Sequence, residues 1–217
     1  MAPKRTATVV IGDIVRSRHL PDRPSSQVHL KELMRSLNRK FAKARLTRFV
    51  ITLGDEFEGV LDDVAAIADI IWHIETSFLD APIRLAFGFG SISTDISPSP
   101  LEMDGQAFHL ARAAITRAMK QDLLGGVFLG YGVEKDQILN GFSRLLHHHW
   151  SHLTPRQREI LAQRRQGYAQ VEIAARSRIT ASAVSQAARK SGWQAFSEAE
   201  SGFRAALTLR RRKETGK

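Results

Sequence analysis

The sequence predicts an α+β fold: a sheet domain over residues 1–132, a connecting helix at 133–152 and an all-α domain at 153–217. Two observations carry that prediction. Short β-branched runs alternate with helical periods up to about residue 131, after which only helical periods follow. Charge divides the same way: residues 1–125 hold 16 Lys and Arg against 15 Asp and Glu, whereas residues 126–217 hold 16 against 7. Arg210, Arg211, Arg212, Lys213 and Lys217 supply five of the C-terminal cations, but residues 126–209 keep a surplus of five without them. A nearly neutral domain joined to a polyanion-binding one fits that asymmetry.

Thr8–Val15 reads as a buried strand, and Ser25-Ser26 as caps of a helix with Val28, Leu33, Leu37 and Phe41 on its apolar face. Phe49–Leu53, the Gly54-Asp55 turn and Glu56–Leu61 read as a hairpin. Asp62-Asp63 then cap a helix bearing Val64, Ile67, Ile71, Ile74 and Phe78. A fourth strand spans Ile83–Ile96 with Gly88 and Gly90, a helix from Asp104 to Gln121 buries Phe108, Ala111, Ile115 and Met119, and Gly126–Tyr131 is a fifth strand. The order is a ferredoxin-like βαββαβ unit with one further αβ step. In that topology the third strand lies antiparallel beside the first, which brings Asp13 near Asp55 and Glu56.

The remaining composition narrows the chemistry. With 217 residues, 43% hydrophobic and 25% charged, the chain suits one domain and a small appendage. No apolar run reaches membrane-spanning length and the N-terminus lacks a secretory stretch, so a cytoplasmic protein without membrane contact is expected. Zero cysteines exclude disulfides and thiolate chemistry. Convergent carboxylates at strand ends suit Mg²⁺ or Mn²⁺, whose shell is completed by water and substrate phosphate. Asp13 and Asp55 each follow a glycine, and Gly12 and Gly54 permit close approach of a ligand to the backbone or a turn with positive φ. Either Gly-Asp pair alone is also an ordinary turn; the metal reading rests on both lying at one end of one sheet.

GDEF at 54–57 resembles the signature of GGDEF-type diguanylate cyclases, with Leu53 at the first glycine position. ITLGDEFEG and VIGDIVRSR resemble the hairpin and first metal-binding segment of class III nucleotide cyclases. GDIVRSR, ITLGDEFEG, RLAFGFG and MDGQAFHLARAA, in that order, resemble the SatD family over roughly residues 7–131. The cyclase resemblance implies a palm-like fold, with Asp13 and Asp55 as metal ligands and Glu56 as an alternative ligand. It also implies that backbone amides from Ile14 through Arg16 to Ser17 cradle phosphate. His109 and Arg112, one helical turn apart, are candidates to meet phosphate at the sheet edge. Arg84 reads equally as a sheet-face salt bridge, and His109 as a packed core histidine.

Glu134–His152 reads as a connecting helix with Ile138, Phe142, Leu145, Leu146 and Trp150 apolar. His147, His148, His149 and His152 lack a neighbouring carboxylate or thiolate, so a polar or packed face is expected in preference to a metal site. Thr154 and Pro155 open the next helix, Gly167 stops it, and helices at 170–176 and 181–190 follow. Small Ala174 and the 11-residue step from Ile173 to Val184 fit a helix-turn-helix. LTPRQREIL and the segment after it resemble LuxR-type and sigma-factor region 4 domains, with Ser177 and Arg178 where those families place Leu and Gly. On that reading Ala181, Ser182, Ser185, Gln186 and Arg189 face the major groove of double-stranded DNA, and Arg178 and Lys190 hold phosphates. Trp193, Phe196, Phe203 and Leu207 mark a last helix suited to a homodimer contact. The function expected is a DNA-binding regulator whose first domain binds a Mg-nucleotide or phosphorylated small molecule. The alternatives are a nucleotidyl cyclase or nucleotidyltransferase regulated by its appendage, and a metal-free platform.

Overall fold

A computed structural model describes residues 5–209; the basic cluster Arg210, Arg211, Arg212, Lys213 and Lys217 lies outside them. Among the described residues the fold is α+β, with a five-stranded mixed sheet and eight α-helices. The strands are β1 (Thr6–Ile14), β2 (Val50–Leu53), β3 (Glu56–Leu61), β4 (Ile83–Ser91) and β5 (Val127–Leu129). The helices are α1 (Arg23–Lys40), α2 (Ile67–Ser77), α3 (Gln106–Lys120), α4 (Val133–Ser151), α5 (Pro155–Arg165), α6 (Gln170–Ser177), α7 (Ala181–Lys190) and α8 (Trp193–Thr208). The chain divides into two compact units, one built from the chain up to Arg144 and from Phe203 onward, the other from Leu145–Gly202. No described helix is long and apolar enough to cross a membrane.

In the first unit the sheet order is β2-β3-β1-β4-β5. β3 and β4 flank β1 antiparallel, and β5 joins β4 in parallel. One sheet face carries Ala7, Val9 and Ile11 of β1, Val60 of β3 and Ala86 of β4 against Ala107, Ala111, Ala114, Ile115 and Ala118 of α3. The small-residue row of α3 exists because the helix lies almost on the strand. A Cβ at Gly88 would stand 2.2 Å from the Ala111 amide nitrogen and 2.3 Å from the Ala107 carbonyl oxygen. This corrects half of the expected buried face: Ala111 and Ile115 are buried as expected, but Met119 is exposed and Phe108 only half-buried, and alanines take the positions closest to the strand.

Other boundaries move for local reasons. α1 begins at Arg23, with Asp22 accepting from the Ser25 amide and Pro24 in the first turn, so Ser25 and Ser26 lie inside the helix and Val28 is exposed. β4 ends at Ser91, opposite Thr6, and the Ile92 amide still donates to the Arg5 carbonyl at 2.9 Å. Asp63 caps a 3₁₀ turn at Val64–Ala66 that leads into α2. In α4 Leu139, Asn140, Ser143 and Trp150 are buried, while Ile138 and Leu145 are exposed. Asn140 takes the inward place because its side-chain amide pairs with both the N–H and the C=O of Phe128 on β5. The end of α8 belongs to this unit too, with Phe203 and Leu207 buried and Arg204 paired bidentately to Asp69 of α2.

In the second unit Ile160, Ile173, Ala174, Val184 and Ala188 form the core of α5, α6 and α7. Thr154 and Gln157 form the capping box of α5, and Thr180 caps α7.

Candidate functional site

The end of β1 gathers charge from three strands. Asp13 lies opposite Glu56 on β3 and opposite Arg84 on β4, so all three share the α3 face. Gly54, at φ +60, closes the β2–β3 hairpin, and the Ile14 amide donates to the Asp55 carbonyl at 3.4 Å. Asp13, Asp55 and Glu56 are thereby brought to one end of the sheet. Burial, first, and the nearby Asp55 charge push the Asp13 carboxyl above its ordinary range, with Arg84 opposing both.

Two arginines occupy this carboxylate group. Arg84 reaches Asp13 at 3.5 Å and Asp122 at 2.5 Å, and its Nε is buried without a hydrogen-bond partner. Arg112, on α3, donates to Glu56 at 2.6 Å and approaches Glu58 at 3.5 Å. Glu56 also accepts from the Thr52 hydroxyl. Glu58, two residues further into β3 and on the same face, is buried, and burial raises its carboxyl to about 7 against the opposing pull of Arg112. Sequence reading missed Glu58 and Asp122. Strand alternation from Glu56 was the available signal for Glu58, whereas Asp122 lies in an irregular segment with no such period.

Several expected phosphate contacts have other partners. The amides of Ile14 and Val15 already donate to the carbonyls of Asp55 and Pro82. Arg16 adopts φ +52 ahead of a 3₁₀ turn that begins at Ser17. Gly12 does not open the backbone to a ligand, because the Phe57 ring fills the place of its Cβ, 2.1 Å from where that atom would stand. His109 is exposed and lies 3.7 Å from Asp104, while Arg112 turns to Glu56, so the two do not meet on a shared partner. Among the described residues no group of three or more His, Asp or Glu is arranged to hold a metal ion. The oxygen donors of Asp13, Asp55 and Glu56 still suit a hard divalent cation, and a half-buried, raised carboxyl is one that a cation would stabilise.

In the second unit the outward residues of α7, namely Ser182, Ser185, Gln186, Arg189 and Lys190, are exposed, as is Arg178. Ala181 is half-buried and its carbonyl accepts from Gln170. Arg156 pairs with Glu159 and Arg165 with Glu200, whereas Arg178, Arg189 and Lys190 form no ion pair among the described residues. Ser177 is buried, donating to Glu159 and accepting from Gln163. Arg178 ends α6 at φ 53, a left-handed conformation that costs a side chain about 1 kcal/mol relative to glycine. Arg178→Gly should therefore raise the unfolding free energy by about that amount in denaturant titration, and an unchanged or lowered value would contradict the strain. His148 and His152 are exposed with their rings 4.1 Å apart, and half-buried His149 lies 5.4 Å from Phe196.

A family model described as the SatD family matches residues 7–200. The match runs beyond the sheet and through the helical segment, further than the resemblance carried by the sheet motifs alone. No curated protein matches.

Proposed function

The chain belongs to the SatD family, and from that premise we propose that it is a DNA-binding regulator whose sheet unit binds a Mg²⁺- or Mn²⁺-nucleotide, or a related phosphorylated small molecule, as effector. The observation that carries the reading is the pairing, in one chain, of carboxylates and arginines at a strand end with a helical unit whose α6–α7 surface bears unpaired cations. The strand order β2-β3-β1-β4, with β1 central, supports a ferredoxin-like, cyclase-like palm. The short α6, the turn at Arg178 and α7 support a helix-turn-helix of the LuxR or sigma-region-4 kind.

Asp13, Asp55 and Glu56 would hold the cation, which supplies charge neutralisation for the ligand's phosphates. Arg84 and Arg112 stand beside those carboxylates as anion partners. On α7, Gln186 has the donor and acceptor pair that reads adenine and Arg189 the fork that reads guanine, with Arg178 and Lys190 at phosphates. A two-fold operator calls for a homodimer, and effector occupancy and DNA affinity are then reciprocally linked.

Gel shifts of the full chain on genomic fragments at graded salt test the proposal. Arg189→Ala should cost about 10- to 100-fold in affinity and relax base preference, while Lys190→Ala should weaken all sequences evenly and flatten the salt slope by about one. Absence of any shift at low salt, or a slope indifferent to Lys190, removes the DNA reading. Incubation with nucleoside triphosphates and Mn²⁺ should give Asp13-dependent binding without product; an Asp13-dependent product would make the protein an enzyme instead.

A further inference from the structure

Glu58 is a buried carboxyl whose one charged neighbour is shared. Its side chain is 9% exposed, and its carboxyl accepts no hydrogen bond among the described residues; the one cation near it is Arg112, at 3.5 Å. A buried carboxylate ordinarily has hydrogen-bond donors or a coordinated cation as compensation. Arg112 does not provide that fully, because its short hydrogen bond goes to Glu56 at 2.6 Å. On the same face and in register lie Glu56 and Asp13, with Asp55 beside the end of β1. One guanidinium, half exposed to solvent, is thus the shared counter-ion of Glu56 and Glu58.

We propose that Glu58 is a reserve carboxylate of the cation site, and that Arg112 occupies the cation's place until a divalent ion displaces it. The inference rests on the metal reading above and deepens it. Displacement does two things at once. It gives Glu58 and Glu56 a counter-ion of higher charge, and it releases a guanidinium at the strand end, where the ion-bound ligand presents phosphate. Arg112 therefore opposes the bare ion and favours the ion together with phosphate.

Mn²⁺ binding to the full chain, read by electron paramagnetic resonance and calorimetry, separates the cases. Arg112→Met should bind Mn²⁺ alone about tenfold more tightly than wild type, within the usual 5- to 150-fold range of coupled binding, and should bind tripolyphosphate with Mn²⁺ more weakly. Adding Glu58→Gln to Arg112→Met should abolish the gain. Arg112→Lys, which keeps one charge but cannot fork between Glu56 and Glu58, should fall between and guards against a folding defect in the methionine variant. If Mn²⁺ binds wild type in an Asp13-dependent way and Arg112→Met and Arg112→Lys leave its affinity unchanged or weaker, the exchange is wrong and the site stands. If Mn²⁺ binds none of the folded variants, the metal reading fails and the exchange with it.

Discussion

Gly88→Val is expected to be the most damaging single substitution in the sheet unit, costing about 3 kcal/mol or more and leaving little folded protein. The first added carbon alone would lie 2.2 Å and 2.3 Å from backbone atoms of Ala111 and Ala107. Neither is the flexible end of a side chain, so relief requires the whole of α3 to move off β4. That movement opens the contact between Ala107, Ala111, Ala114 and Ala118 and the β1 residues Val9 and Ile11. It also withdraws Arg112 from Glu56 and Glu58, so structural damage and loss of the charge arrangement should appear together. Denaturant unfolding checks the first and nucleotide binding the second. Gly54→Ala is the useful contrast, since nothing lies within 4 Å of its Cβ and the strain of φ +60 is its only cost. A Gly88→Val protein as stable as wild type would mean that the helix does not approach the strand this closely.

Glu58→Gln should make stability less sensitive to pH, measured with chelator present. The carboxyl titrates near 7 in the fold and near 4.5 when unfolded. Between those values the folded chain holds a proton that the unfolded chain has released, so the native state loses stability as pH rises. The contribution is complete below about pH 4.5 and is lost as pH passes through about 7, amounting to about 3 kcal/mol by pH 8. Glutamine imitates the protonated form at every pH. Wild type and variant should therefore match near pH 4, and the variant should be the more stable near pH 8. A stability difference that stays constant across this range would show that Glu58 is not desolvated as the geometry requires.

Periodicity was enough to read the α+β class, the β2–β3 hairpin, α7 with its Thr180 cap, and the meeting of Asp13 with Asp55, because each follows from local pattern or from a short, constrained connection. The family, too, was legible in motifs strung along the sheet segment. Other features depended on contacts between distant residues. Gly12 looked like a ligand-approach glycine and proves to be space for Phe57. On α3, Ala111 and Ile115 are buried as their spacing implies, whereas Phe108 and Met119 lie outside the row of alanines that meets the glycine-bearing strand. Asn140 sits inside since Phe128 needs its backbone paired. Glu58 carried no mark as a single residue: a charge in a strand is legible, but its desolvation is set by α3 arriving from 50 residues further along the chain. Side-chain identity and spacing determine which elements form and which residues share a face, while burial and counter-ion pairing are sums over neighbours that only the folded arrangement brings together.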